Sequence, residues 1–195
     1  MKAICVFDKI SNNGIEGIIT FNQNSVNSPL EMNIQLQGFK PYTVHAIHIH
    51  EFGDLTEGCK SLGGHFNPTN KNHGHSEKGH AGDLFNNFKT SKFGTLNILY
   101  STNKLSIYPS NKCIIGRSVV IHKFSDDYGL EGQKIGNKFV LYKDMNEDEL
   151  SYICDVLGYT EVNTIDEMKQ KLITESRTTG NASTRIGCAI VGISK

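Results

Sequence analysis

The sequence has no tryptophan, and only four prolines and four methionines in 195 residues. It has no surplus of either charge, since 20 Lys plus Arg balance 20 Asp plus Glu. Chains that grip nucleic acid or an anionic membrane surface normally carry a basic excess, so neutrality argues against both as partners. No apolar run approaches the roughly 20 residues that cross a bilayer. The opening MKAICVFDKISNNGIEG lacks the apolar stretch and small-residue cleavage site of a secretory leader, which predicts a cytoplasmic protein. Five cysteines (Cys5, Cys59, Cys113, Cys154, Cys188) include no CxxC pair. A scattered, odd set argues against a thiolate zinc site and a dense disulfide framework, and leaves room for one bridge.

What is present in excess is histidine. Seven of the eight fall between His45 and His80. Around that cluster, short alternating segments dominate. Leu30, Met32, Ile34 and Leu36 alternate with polar neighbours, the period of a half-buried strand. Further strands are predicted over 2–7, 14–21, 43–50, 94–100, 105–108, 117–122 and 186–193, broken by turn residues. Many short strands with turn-rich joints indicate an antiparallel barrel or sandwich, an all-β class. Residues 51–87 show no period and read as one long irregular loop. Such a loop in a compact domain is functional, or is tied down by a metal or a disulfide.

After Asp144 the period becomes helical. Leu150, Ile153, Cys154 and Leu157 form one stripe, with Asn146 and Glu149 as a capping pattern and Gly158 as the stop. Thr164 and Glu167 repeat the capping pattern before Met168, Leu172 and Ile173. The reading is a helical insertion over 134–173 on a single β domain spanning 1–195. That segment carries five lysines and eight acidic residues, a net of −3, so the remainder carries +3.

His48 and His50 are two apart on a predicted strand, which puts both rings on one face and Ile47 and Ile49 on the other. His65, His73, His80 and Asp83 follow on the loop. Three imidazoles and a carboxylate make a tetrahedral zinc shell. His122 ends the strand VVIH and can join His48 and His50 in a nitrogen-rich set suited to a transition metal.

Five motifs, AIHIHEFGD (46–54), GGHFNP (63–68), GHAGDLFN (79–86), VVIHKFSDD (119–127) and TGNASTRIGCAIVGI (179–193), together resemble copper/zinc superoxide dismutase. The likeness is collinear and spans the chain outside 134–173. It implies an eight-stranded Greek-key barrel with long metal-binding loops, and dismutation of superoxide to oxygen and hydrogen peroxide. It implies copper on His48, His50, His65 and His122, and zinc on His65, His73, His80 and Asp83, with His65 bridging. Asp126 matches the carboxylate that joins a copper histidine to a zinc histidine. Arg185 matches the channel arginine, catalytic together with His65, and Cys59 and Cys188 match a disulfide. Phe52, Gly53, Ile115, Gly116 and Ile193 match dimer-interface positions, so a homodimer is expected, with a copper chaperone as a further partner.

His45 and His75 match no ligand. Ser183 stands where the family has glycine, a cost of roughly 1 kcal/mol if the backbone there needs a positive φ. The insertion falls in the family's electrostatic loop, and the sequence does not tell whether its negative charge faces the channel. Deletion of 134–173 is expected to leave metal binding intact. The alternative reading is a metal-delivery or partner-binding protein on the same fold that uses the insertion, against which stand the absence of CxxC and the intact copper set. Richness in Ile, Asn and Lys points to an AT-rich source such as a protist or a large DNA virus, the location then being host cytoplasm.

Overall fold

The computed structural model describes residues 1–75 and 78–195. Strands β1 (Lys2–Phe7), β2 (Glu16–Asn22), β3 (Leu30–Gln37), β4 (Val44–His50), β5 (Asn86–Lys89), β6 (Thr95–Thr102) and β7 (Ser118–His122) are followed by a hairpin, β8 (Gly132–Ile135) and β9 (Lys138–Leu141). Helices α1 (Glu147–Leu157) and α2 (Ile165–Thr179) come next, then β10 (Arg185–Ile190) and β11 (Gly192–Ile193). Two antiparallel sheets form the body. One runs β11-β1-β2-β3-β6 and the other β10-β7-β4-β5. The mostly β, antiparallel class is as the sequence predicts. The strands form two sheets of five and four, however, and not a single closed ring of eight.

Alternation explains the packing. Leu30, Met32, Ile34 and Leu36 on β3 and Ile19 and Phe21 on β2 turn inward against Ile47 and Ile49 of β4 and Val119 and Ile121 of β7. Each is fully or almost fully buried. Truncating one of them, as in Ile47→Ala, costs roughly 2–5 kcal/mol.

Four segments differ from the sequence-based expectation. Residues 105–108 form no strand: the Ile107 N–H and the Ser106 hydroxyl both bond to the Gln23 side chain, which takes the place of a ladder. The loop read over 51–87 is shorter, because Asn86 and Asn87 pair with Ile47 and Ala46. The last predicted strand is two, since Val191 carries the chain from one sheet to the other. The inserted region is not helical throughout, for it opens with the β8–β9 hairpin, and α2 runs on to Thr179.

Both helices begin at complete capping boxes. Asn146 Oδ1 accepts from the Glu149 N–H and Glu149 Oε2 from the Asn146 N–H, each at 3.0 Å. Thr164 and Glu167 do the same for α2. Such caps are typically worth about 1 kcal/mol. Gly158 ends α1 in the left-handed region at φ 84°. The helices bury Leu150, Ile153, Cys154 and Leu172 with Tyr142 and Met145, a small core apart from that of the sheets.

Candidate metal centre

The sheets bring the histidines together. On β4, His48 and His50 face away from Ile47 and Ile49, and both are buried. Register sets His48 opposite Val120 on β7, and Arg185 of β10 opposite His122. The loop after β4 is laid along the same strand: Phe66 donates to the Ile49 carbonyl at 2.8 Å, and a backbone bridge sets His65 beside His50. A disulfide between Cys59 and Cys188 ties the loop to β10.

Two four-residue groups of ligand atoms result, each with its members within 4.8 Å of one another, beside a three-residue group of His48, His73 and Asp126. One is His48, His50, His65 and His122; the other is His65, His73, His80 and Asp83. All seven residues are buried, and His65 belongs to both groups.

Hydrogen bonds fix which nitrogen of each ring is free. Asp126 accepts from His48 Nε2 at 2.7 Å and from His73 Nε2 at 2.9 Å, which turns both Nδ1 atoms inward. His50 Nδ1 donates to the Gly63 carbonyl and His122 Nδ1 to the Ser183 carbonyl, each at 3.0 Å. Their Nε2 atoms then carry lone pairs and face each other at 3.3 Å. Two lone pairs at that distance need a cation between them. His48 Nδ1, His65 Nε2, His73 Nδ1 and His80 Nδ1 are buried without a hydrogen-bond partner. Buried polar atoms are rarely left so, and each costs about 1–3 kcal/mol. Asp83 lies 3.0 Å from His73 Nδ1 and 3.2 Å from His80 Nδ1, close but without hydrogen-bond geometry, as atoms converging on one ion do. The donor set fits two metal ions: nitrogens alone on one side, nitrogens and a carboxylate on the other.

Charge differs between the sides. Burial lowers the basicity of His50 and His122, His122 to about 3, and the surrounding histidines add to it. Burial also acts against protonation of His73, but the bond to Asp126 and the nearby Asp83 carboxylate override it and raise its pKa to about 10. Asp126 resists burial in the same way and stays well below the usual carboxylate range.

Arg185 donates to the carbonyls of Cys59 and Lys60 through Nη1 and of Gly63 through Nη2. It lines a cavity of about 290 Å³ with His50, His65 and His122. Leu157, Gly158, Tyr159, Glu175 and Thr179 form another wall of this cavity, so the inserted helices face the channel. Ser183 does adopt a positive φ of 64°, and its hydroxyl donates to the Leu157 carbonyl at 3.2 Å.

Sequence reasoning missed several supports. Asn86 Nδ2 donates to Asp126 at 2.9 Å, and the Asn87 side chain brackets the Asp126 backbone. The His73 N–H donates to the Arg177 carbonyl at 2.7 Å. A side chain at Gly180 would collide with the Asp126 carboxylate and the His73 ring. His45, a non-ligand, donates from Nδ1 to the His122 carbonyl at 3.0 Å between Phe39 and Phe88. His75 packs edge-on to Tyr128. Only the paired asparagines of DLFNN offered a residue-type signal.

Fold and site define a class, an antiparallel β protein with two adjoining metal-binding sets that share one histidine. The family model described as copper/zinc superoxide dismutase (SODC) matches residues 15–140. The chain is 35% identical over 197 residues to superoxide dismutase (Cu-Zn) 5 of Dictyostelium discoideum, covering 100% of this chain and 99% of that one. It is 33% identical over 184 residues to the extracellular superoxide dismutase (Cu-Zn) of Drosophila melanogaster, covering 93% and 78%. The crystal structure of the clock protein EA4 is similar with a TM-score of 0.70 at 29% identity, covering 99% and 94%. The chain belongs to the copper/zinc superoxide dismutase family. It is an oxidoreductase that dismutates superoxide, with copper and zinc as its cofactors. Among the described residues no helix is long and apolar enough to cross a membrane.

Proposed function

We propose that His48, His50, His65 and His122 hold the copper and that His65, His73, His80 and Asp83 hold the zinc. The observation that carries this reading is the set of four buried ring nitrogens with no hydrogen-bond partner, those of His48 and His65 on the copper side and those of His73 and His80 on the zinc side. Copper, when bound, supplies a one-electron redox couple, and zinc a fixed cation without redox chemistry. His65 Nδ1 lies 2.9 Å from Asp83 on the zinc side while Nε2 points to the copper side. His65 is thus placed to hold a proton at Nε2 and pass it to the reduced substrate. Arg185, a fixed guanidinium at the cavity, orients the small anion. Asp126 orients one histidine of each set through its second nitrogen.

The reading extends to a single domain over 1–195, its insertion over 134–173 occupying the family's electrostatic loop. A homodimer is supported by the exposure of Phe52 and Ile193, 50% and 66%, and by Gly53, which lies against the Gly116 carbonyl. Phe52→Glu is expected to yield monomers in sedimentation. Three free thiols, Cys5, Cys113 and Cys154, suit the cytoplasm, where a copper chaperone would load the site. Metal delivery or partner binding as the main role is disfavoured, because the nitrogen set beside Arg185 is complete.

The test is direct. Purified protein is loaded with zinc and then copper, and the metals are counted. One of each per chain is expected, with removal of superoxide. Fully metallated protein without activity overturns the reading.

A further inference from the structure

A second and larger cavity, of about 640 Å³, lies where the insertion meets β4 and the loop after β7. That volume is in the range of small-molecule sites. Val44 of β4, Leu130 of the loop, Phe139 of β9, and Tyr152 and Val156 of α1 line it, and each is 40–70% exposed. Apolar side chains gathered from separate elements around one hollow mark a contact with another molecule. Five of the lining residues are aromatic: Phe124, Tyr128, Phe139, Tyr142 and Tyr152. The cavity shares only Leu157 with the copper-side cavity.

Charge narrows the kind of molecule. The lining holds three charged side chains, Asp126, Asp127 and Lys134. Both carboxylates are engaged within the protein. Asp127 accepts from the Gly129 N–H, the hydroxyls of Ser176 and Tyr142 and the Asn181 amide, each at 3.0 Å. Asp126 accepts from His48, His73, Asn86 and the Tyr128 N–H. Lys134 is exposed and has no partner among the described residues. Lys123 adds a second cation over the Phe124 ring, 4.9 Å from its centroid. We propose that this cavity binds a small amphipathic anion with an aromatic body. The rings and apolar side chains take the body, and Lys134 takes the anionic group. The two carboxylates at the base repel that group and so leave it at the rim, with the apolar end inward. The proposal does not rest on which residues hold the metals.

The experiment uses the copper- and zinc-loaded chain and two probes, 8-anilinonaphthalene-1-sulfonate and the same compound with an uncharged sulfonamide. Equilibrium dialysis measures both, because copper cannot quench that readout. One sulfonate per chain is expected, bound more tightly than the sulfonamide. The sulfonate should also raise the melting temperature, as a ligand of the native state does; a probe that binds loosened protein lowers it. Lys134→Met is expected to weaken the sulfonate roughly two- to fivefold and leave the sulfonamide unchanged. The double variant Phe139→Ala, Tyr152→Ala is expected to weaken both probes roughly tenfold. Ile10→Ser removes an exposed apolar side chain outside the lining and is expected to change neither.

If the double variant does not fold, the exposed Lys134→Met carries the test through the difference between the probes. Sulfonate and sulfonamide bound equally, no saturable site, or a lowered melting temperature overturns the proposal. So does sulfonate binding that neither Lys134→Met nor the double variant weakens, since the probe then sits elsewhere. Binding that fades as protein concentration rises, with a larger assembly in sedimentation, makes a second copy of the chain the occupant and overturns it as well.

Discussion

The two halves of the metal centre share His65 but are built on opposite electrostatic plans. On the zinc side every ring faces a carboxylate: His65, His73 and His80 surround Asp83, and His73 also bonds Asp126. That half attracts a cation even without metal, which is why His73 holds its proton to about 10. On the copper side, His50 and His122 are oriented by neutral carbonyls and lie near Arg185, and burial keeps them unprotonated. A cation on the zinc side is held by charge. One on the copper side is held by nitrogen lone pairs alone, beside a cavity that admits the substrate. A redox ion suits the second environment, because little fixed negative charge is present there to lock it in its higher oxidation state.

The largest test of this contrast removes one ligand from each half. His122→Ala is expected to abolish dismutation and copper binding while zinc stays bound. His80→Ala is expected to lose zinc while copper binds. Metal content by mass spectrometry and activity together decide it, and loss of both metals from either variant would mean that the halves do not act separately.

Among the described residues, Asp126 is the carboxylate that bonds His48 on one side and His73 on the other. Asp126→Ala is expected to weaken zinc binding about 10- to 100-fold, as loss of such a supporting group typically does. The loss for copper should be smaller, since three of its four rings are oriented by other groups. Competition with a chelator measures both. Equal losses would dissolve the electrostatic distinction.

The disulfide separates the halves in another way. It ties the copper-side loop to β10 across 129 residues and fixes the carbonyl that Arg185 Nη1 holds at 2.7 Å. Cys59→Ala is expected to cost about 3–5 kcal/mol in denaturant unfolding. It should lower activity through Arg185 before it lowers zinc content. Zinc loss first would show that the bridge serves the other half.

Much of this centre was legible because metal ligands must be particular residue types. The residues we propose as ligands, His48, His50, His65, His73, His80, Asp83 and His122, announce themselves by identity and spacing, as do the capping boxes at Asn146 and Thr164. The groups that orient the ligands did not announce themselves, because most are backbone: the carbonyls of Gly63, Ser183 and Arg177 carry no residue signature. The β8–β9 hairpin was also hidden, since four-residue strands hold too few periods to read. The contacts of the insertion with the loops around the metal centre were hidden for the same reason. The sequence reads 134–173 as removable, yet Asn181 bonds the Leu172 carbonyl and Tyr159, and α2 ends on the carbonyl that holds His73. These are long-range contacts between ordinary residues.

Ser183 yields the smallest and finest test, because it joins the copper half to the insertion. Its carbonyl orients His122, and its hydroxyl bonds the end of α1. Its φ of 64° costs a non-glycine residue roughly 1 kcal/mol. The hydroxyl bond returns about the same amount. Ser183→Gly should therefore be nearly neutral in thermal unfolding, relieving strain as it loses the bond. Ser183→Ala keeps the strain without the bond and should be destabilised by about 1 kcal/mol. If alanine is as stable as serine, the hydroxyl bond contributes nothing, and α1 is held at the channel by Tyr159 and its apolar contacts alone.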